Sequence, residues 1–169
     1  TAELIAERMN ALGLPMQTSI GKTGVVAVLE GARPGPTLMI RADIDGLPVD
    51  EETGLEFAST NGAMHACGHD GHTSILITAA EILVSMKDQL AGKVVFLFQP
   101  AEETISGAEA MINDGVLDQY KPDRTIGLHI MNVLPVGTIA TNRGPLMSGG
   151  IRFAITIEGS GGHAGWPHK

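Results

Sequence analysis

Apolar residues first recur with helical spacing, at Leu4, Ile5, Met9 and Leu12, while Glu3, Glu7 and Arg8 fall off that face. The spacing predicts a helix over 2–12, ended by Gly13. The pattern then changes to short apolar or β-branched runs at 25–29 and 37–40. Between them, residues 31–36 are a turn by their glycine and proline content. The second run leads into Arg41, Ala42, Asp43, Ile44 and Asp45, so two carboxylates stand at the C-terminal end of a strand. Residues 46–63 are loop-like. Helical spacing returns from Gly71 to about Lys87, with Ile75, Leu76, Ala79, Ala80, Ile82 and Leu83 as the predicted buried side. The run 93–98, bounded by Gly92 and Pro100, predicts a strand covered on both faces, and Glu102 and Glu103 follow it directly. A helix over 107–113 ending at Gly115, a strand over 124–130 with His129 near its end, and a short strand over 136–141 come next. Residues 143–150 are glycine-rich.

Strands alternating with helices predict an α/β fold with a mainly parallel sheet flanked by helices. Each group with chemical potential lies at or just after a strand's C-terminal end, the edge where open α/β sheets bind ligands. Residues 151–158 alternate differently and read as a half-buried strand of another layer. A domain boundary is therefore expected near 147–151, with a metal-binding domain over 1–148 and the start of a smaller domain over 149–169. Thr1 opens directly into a helical pattern, and Lys169 follows a Gly/His/Trp/Pro cluster. Both ends read as interior positions, so the chain is expected to be part of a longer one.

Composition narrows the class. The 169 residues are enough for one domain with a core, and a hydrophobic content of 43% argues against disorder. The formal charge is −8 without any basic run, which excludes nucleic acid and anionic membrane surfaces as expected partners. No apolar stretch reaches the roughly 18 residues needed to span a bilayer, and no signal peptide opens the chain. A single cysteine cannot form an internal disulfide, so a reducing cytoplasm is the expected compartment, where a thiolate ligand would also survive.

Chemistry concentrates at 64–72, where Cys67 and Asp70 stand among His65, His69 and His72, three of the chain's six histidines. Thiolate sulfur and neutral imidazole are donors that a zinc-like ion prefers. Two apart in an extended segment, Cys67 and His69 would point to the same side. His65 and His72 read as supporting donors or loop anchors. Asp70 reads either as a partner orienting a ligand imidazole or as a helix cap. Adjacent Glu102 and Glu103 diverge in an extended chain, so one could bind metal while the other faces a metal-bound water; a solvated acidic pair at a helix start is the plainer reading. Asp43 and Asp45 are ligands or turn formers. His129 alone would be an ordinary core histidine. His163 and His168 lie in a glycine-rich segment that is either a flexible loop or one that carries an imidazole to a substrate oxyanion.

R-A-D-I-D-G-L-P at 41–48, M-H-A-C-G-H-D-G-H at 64–72, F-Q-P-A-E-E at 98–103, G-L-H at 127–129 and G-G-H-A-x-x-P-H at 161–168 occur in this order. Together they resemble the aminoacylase/carboxypeptidase family of dinuclear metallohydrolases, in particular its amidohydrolase branch of hippurate hydrolases, N-acetyl-amino-acid deacetylases and indoleacetyl-amino-acid hydrolases. The resemblance runs along essentially the whole chain. It implies a metallopeptidase-like catalytic domain, partial over 1–148, and the beginning of an α+β lid or dimerisation domain over 149–169. It implies two divalent ions (zinc, manganese, nickel or cobalt) on Cys67, His69, Glu103 and His129. Glu102 would be general base and acid, and Asp45 would lie beside the metal site. His163 would reach a partner subunit's site in a homodimer or higher oligomer and stabilise the tetrahedral intermediate. The implied reaction is hydrolysis of an N-acyl amino acid, hippurate-like, to a carboxylate and a free amino acid. A dipeptidase or carboxypeptidase of the same family is the alternative, and a non-catalytic metal-binding fragment the reading from another class. One element departs from the family: its fifth ligand, a histidine after the lid domain, has no counterpart among the six histidines.

Overall fold

In the computed structural model, which describes all of residues 1–169 except Arg152, Pro167 and Lys169, the apolar run at 93–98 lies at the centre of a sheet. The elements in chain order are α1 (Ala2–Ala11), β1 (Met16–Ile20), β2 (Gly24–Glu30), β3 (Arg33–Asp43), α2 (His69–Ser85), a 3-10 turn (Lys87–Gln89), β4 (Ala91–Gln99), α3 (Gly107–Asn113), α4 (Val116–Tyr120) and β5 (Arg124–Gly127). The strands lie side by side as β1-β2-β4-β3-β5. β3 pairs in parallel with β4 and β5, whereas β2 pairs antiparallel with β1 and β4. The sheet is thus mixed, with β2 alone running against the other strands.

Successive side chains of a strand point to opposite faces, and this divides each apolar run between two cores. Phe96 and Phe98 of β4 join Val25 and Ala27 of β2, Ala42 of β3, Ile5 and Met9 of α1, and Leu76 and Ala80 of α2. On the other face Val95 and Leu97 of β4 join Val26 of β2, Met39 of β3, Met111 of α3, and Val116 and Tyr120 of α4. A sheet layered by helices on both sides follows. Burial of β4 on both faces, as predicted, holds for its second half, from Val95 on.

Several expectations change. Strand β1 and helix α4 are not foreseen by the pattern. The predicted turn over 31–36 is mostly strand, because β3 already begins at Arg33. Its prolines, Pro34 and Pro36, are tolerated there because the ladder to β4 shifts register between Arg33 and Thr37, and β5 pairs only from Leu38 onward. Helix α2 begins at His69 rather than Gly71, and its buried stripe is His69, His72, Thr73, Leu76 and Ala80. Ile75 and Ile82, expected inside, are exposed, as is Leu4 on α1. The polar side chains His69 and His72 take the inward face through hydrogen bonds that hydrophobic spacing does not register. β5 stops at Gly127, so His129 lies just beyond the strand.

The chain divides into two units, Thr1–Pro135 and Val136–Lys169. The strands predicted over 136–141 and 151–158 do not form among the described residues of the second unit; Arg152, in the latter, lies outside them. Ile139, Ile151, Phe153, Ile155 and Ile157 are exposed. A strand needs a neighbouring ladder, and these segments have none among the described residues. No helix among the described residues is long and apolar enough to cross a membrane.

Candidate metal centre

Three neighbouring parallel strands, β4, β3 and β5, end on one edge of the sheet, and the first turn of α2 meets them there. The polar residues just past the strand ends therefore converge. Gly68, in the left-handed region at φ +83°, makes the tight entry to α2. Cys67 is consequently in a turn and His69 in the helix, so the extended geometry expected for the pair is not what brings them together.

His69 is 1% exposed. Its Nδ1 lies 3.0 Å from the main-chain oxygen of Asp45, an acceptor only, so Nδ1 carries the proton and a neutral ring keeps its lone pair on Nε2. That Nε2 is buried without a hydrogen-bond partner. Around it stand Asp43 Oδ2 at 3.6 Å, Glu103 Oε1 at 3.7 Å and Glu102 Oε2 at 3.9 Å. A lone pair facing three carboxylates is stable only with a proton or a cation between them.

The second half of the site repeats the device. His129 Nδ1 donates to the carbonyl of Ile130 at 2.7 Å, which leaves Nε2 toward Cys67 Sγ at 3.4 Å. Fixing the tautomer through the remote nitrogen is the usual arrangement of metal-binding histidines. Donor atoms of Cys67, His69 and His129 lie within 4.8 Å of one another, as do those of His69, Glu102 and Glu103. The two groups share His69 and together gather Cys67, His69, Glu102, Glu103 and His129. Burial, the charge and hydrogen bond of Glu103, and the charges of Glu102 and Asp43 push the Cys67 thiol up. A bound cation would reverse that preference, since a coordinating thiol is deprotonated outright.

Asp45 organises these groups. Its carbonyl accepts from His65 Nδ1 as well as from His69, each at 3.0 Å, and its Oδ2 accepts the backbone N–H of Glu103 at 3.0 Å. Asp45 therefore ties the loop after β4 to α2. Asp43 is more deeply buried than Asp45 and accepts from His72 Nδ1 at 2.6 Å and from Arg41 Nη1 at 3.0 Å. Burial pushes its carboxyl up, but the His72 bond and the charges of Arg41, His69 and His72 outweigh that and hold it below the usual carboxylate range. His72 also accepts the N–H of Ile130 on Nε2 at 2.8 Å, so both its nitrogens are engaged. Although Asp43, His69 and His72 lie close enough to share an ion, His72 has no lone pair to give one.

Asp70 is exposed in the first turn of α2, where a negative charge suits the helix dipole, and α2 has no side-chain cap. His65 also lines a cavity of about 430 Å³ whose walls include Leu55, Phe57, Met64 and Asp70. His163 belongs to the second unit, where its exposed ring accepts the N–H of Gly165 on Nδ1 at 3.1 Å. Pro167 of the motif around it lies outside the described residues. Sequence reasoning missed the joint role of Asp43 and His72. Their signal was present: His69 and His72 stand three apart, one helical face, once the helix is started at His69.

Residues 39–166 match the peptidase family M20/M25/M40. The chain is 43% identical to a thermostable carboxypeptidase of Saccharolobus solfataricus, over 100% of this chain and 44% of the relative. It is 46% identical to an N-acetyl-L-cysteine deacetylase of Bacillus subtilis, over 100% of this chain and 40% of the relative. Among solved structures, a dinuclear metal-binding peptidase of the M20 family from Bacillus subtilis is 42% identical, with a TM-score of 0.80 over 86% of this chain and 40% of that one. The chain thus spans less than half the length of the relatives it matches. Its α/β sheet flanked by helices corresponds to that neighbour, and by the extent of these matches the chain belongs to peptidase family M20/M25/M40.

Proposed function

We propose that the whole protein is a metal-dependent amidohydrolase that cleaves the linear amide of an N-acyl amino acid to a carboxylate and a free amino acid. One observation carries this reading: the buried, partnerless Nε2 of His69 faces Asp43, Glu103 and Glu102 at 3.6, 3.7 and 3.9 Å. That donor set fits a cation. Cys67, His69, Glu103 and His129 would hold two divalent ions, and their mixed donors suit zinc, manganese, nickel or cobalt. When bound, such ions polarise an amide carbonyl and lower the pKa of water.

The chain's own residues supply the rest. Glu102, with its side chain 40% exposed against 20% for Glu103, is the more open carboxylate; it takes the proton of the attacking water and returns it to the leaving nitrogen. Asp45 keeps the Nε2 lone pair of His69 turned inward and fixes the backbone of Glu103. His163, presented by a lid domain beginning near 149 in a homodimer or higher oligomer, donates to the oxyanion from the partner subunit. The cavity beside His65 mixes apolar Leu55, Phe57 and Met64 with polar Glu51, Ser59 and Asn61, and its apolar side chains would meet a hippurate-like acyl group. A reducing cytoplasm suits the free Cys67.

The identity to a carboxypeptidase favours a second reading, in which the substrate is a peptide with a free C-terminal residue. Turnover of hippurate and N-acetyl amino acids against a dipeptide panel, by the metal-loaded whole protein, separates the two. Faster hydrolysis of acyl-amino acids is expected. Preference for dipeptides gives the second reading, and metal uptake with no hydrolysis of either overturns both in favour of a non-catalytic metal-binding role.

A further inference from the structure

The segment that carries His129 has left the sheet. β5 ends at Gly127, so no ladder bond fixes residues 128–130. What holds them is α2. The N–H of Ile130 donates to His72 Nε2 at 2.8 Å, and the rings of His72 and His129 meet edge to face at 4.6 Å. Gly71 faces the end of the Ile130 side chain. His72 is itself held: Nδ1 donates to Asp43 Oδ1, Arg41 Nη1 donates to Asp43 Oδ2, and Arg41 Nε donates to Gln99 Oε1 at 2.9 Å. A continuous line of hydrogen bonds therefore runs along the sheet edge from the end of β4, through the end of β3 and the first turn of α2, to the segment after β5.

We infer that His72 is a positioning residue that latches residues 129–130 to α2. The stretch Cys67, Gly68, His69, Asp70, Gly71, His72 then divides its work. Its first half offers donor atoms to the site, and its second half sets the direction of a donor from another part of the chain. A neutral imidazole suits the task because it donates on one nitrogen while accepting on the other, about 2 Å across the ring. A latch of this kind sharpens a metal site by removing the freedom of one ligand before the ion arrives. The inference rests on the metal-dependent reading above.

Two variants of the whole protein dissect it, because Asn and Gln each keep one end of the imidazole. His72→Asn keeps a donor near Asp43 and loses the acceptor for Ile130; His72→Gln can reach Ile130 with its carbonyl oxygen. Cobalt affinity and stoichiometry, with the thiolate-to-cobalt absorption band of Cys67, are read alongside the circular dichroism melt. For His72→Asn we expect the ion shared by Cys67 and His129 to bind on the order of 10–100-fold more weakly, the cost typical of losing a ligand's supporting partner. For His72→Gln affinity should stay close to the parent's. Ile130→Pro, which removes the N–H that His72 accepts and leaves His72 itself in place, should weaken the same ion and is the readout if His72→Asn does not fold. Parent-like affinity in His72→Asn, or in Ile130→Pro where it stands in, overturns the latch, and so does equal weakening in both His72 variants. A parent protein that takes up no cobalt is a different failure: it overturns the metal-dependent reading, and the latch with it.

Discussion

The main-chain oxygen of Asp45 accepts the Nδ1 proton of His69 at 3.0 Å, while Asp45 Oδ2 accepts the N–H of Glu103. One residue just past the end of β3 thus sets the tautomer of a helix residue and the backbone position of a loop residue. Its remaining oxygen, Oδ1, is buried at 3.3 Å from His69 Nδ1 without a hydrogen bond of its own. A carboxylate in that place serves geometry and adds negative charge beside the cation site. Replacing Asp45 by Ala leaves the main-chain oxygen in place but strands the N–H of Glu103. Metal affinity of the whole protein should fall on the order of 10–100-fold, as for other partners of ligands, and competition with a chelator measures it. Unchanged affinity would remove Asp45 from the account.

Cys67 is the one soft donor in the site. Burial first, and then the carboxylates around it, favour the protonated form of its thiol, a preference that a bound cation would reverse. Cys67→Ala should lower metal content by elemental analysis and abolish the charge-transfer band of a cobalt-loaded sample. Parent stoichiometry in this variant would show that sulfur is not a ligand.

Phe96 sits in the middle of the core between the sheet and the helices α1 and α2, with no exposed surface. Truncation to Ala removes the ring from a cluster that also holds Ile5, Met9, Leu76 and Ala80, all on helices packed against the sheet. A loss of about 3–5 kcal/mol is expected, read from the denaturant midpoint of the whole protein under chelator. A loss below about 1 kcal/mol would mean that this core is loosely packed.

The elements whose buried side is apolar were legible. Residues 25–29 and 93–98 alternate or run apolar, and both are strands at the predicted places. Helix α2 was legible in its existence but not in its face, because the pattern counted Ile75 and Ile82 as inside and could not count His69 and His72. Burial of those rings depends on Asp43, Asp45 and Ile130, partners far away in sequence whose approach only the fold provides. The same reason hid the strand containing Pro34 and Pro36: an unpaired edge makes proline harmless, and edges are a property of the sheet. In the site, residue types and motif order pointed to Cys67, His69, Glu102, Glu103 and His129, and the fold gathers them. The tautomers, which decide where each lone pair points, were not legible.

Glu102 and Glu103 are neighbours with different surroundings. The Glu103 backbone is bonded to Asp45 and its side chain is the more buried, whereas Glu102 is the more open and its Oε2 is the more distant from His69 Nε2, 3.9 Å against 3.7 Å. On the proposed reading the pair would divide the work: Glu103 would hold the ion, and Glu102 would reach water and a leaving nitrogen. Glu102→Gln keeps size and a hydrogen-bonding oxygen but cannot take a proton. In the whole protein it should load metal like the parent while kcat on hippurate or an N-acetyl amino acid falls on the order of 10²–10⁴-fold, the range for losing a general base. Glu103→Gln should instead lose metal. Measuring stoichiometry and kcat on the same preparations separates the two roles; near-normal turnover in Glu102→Gln would take the proton transfer away from it, and equal metal loss in both variants would make both carboxylates ligands.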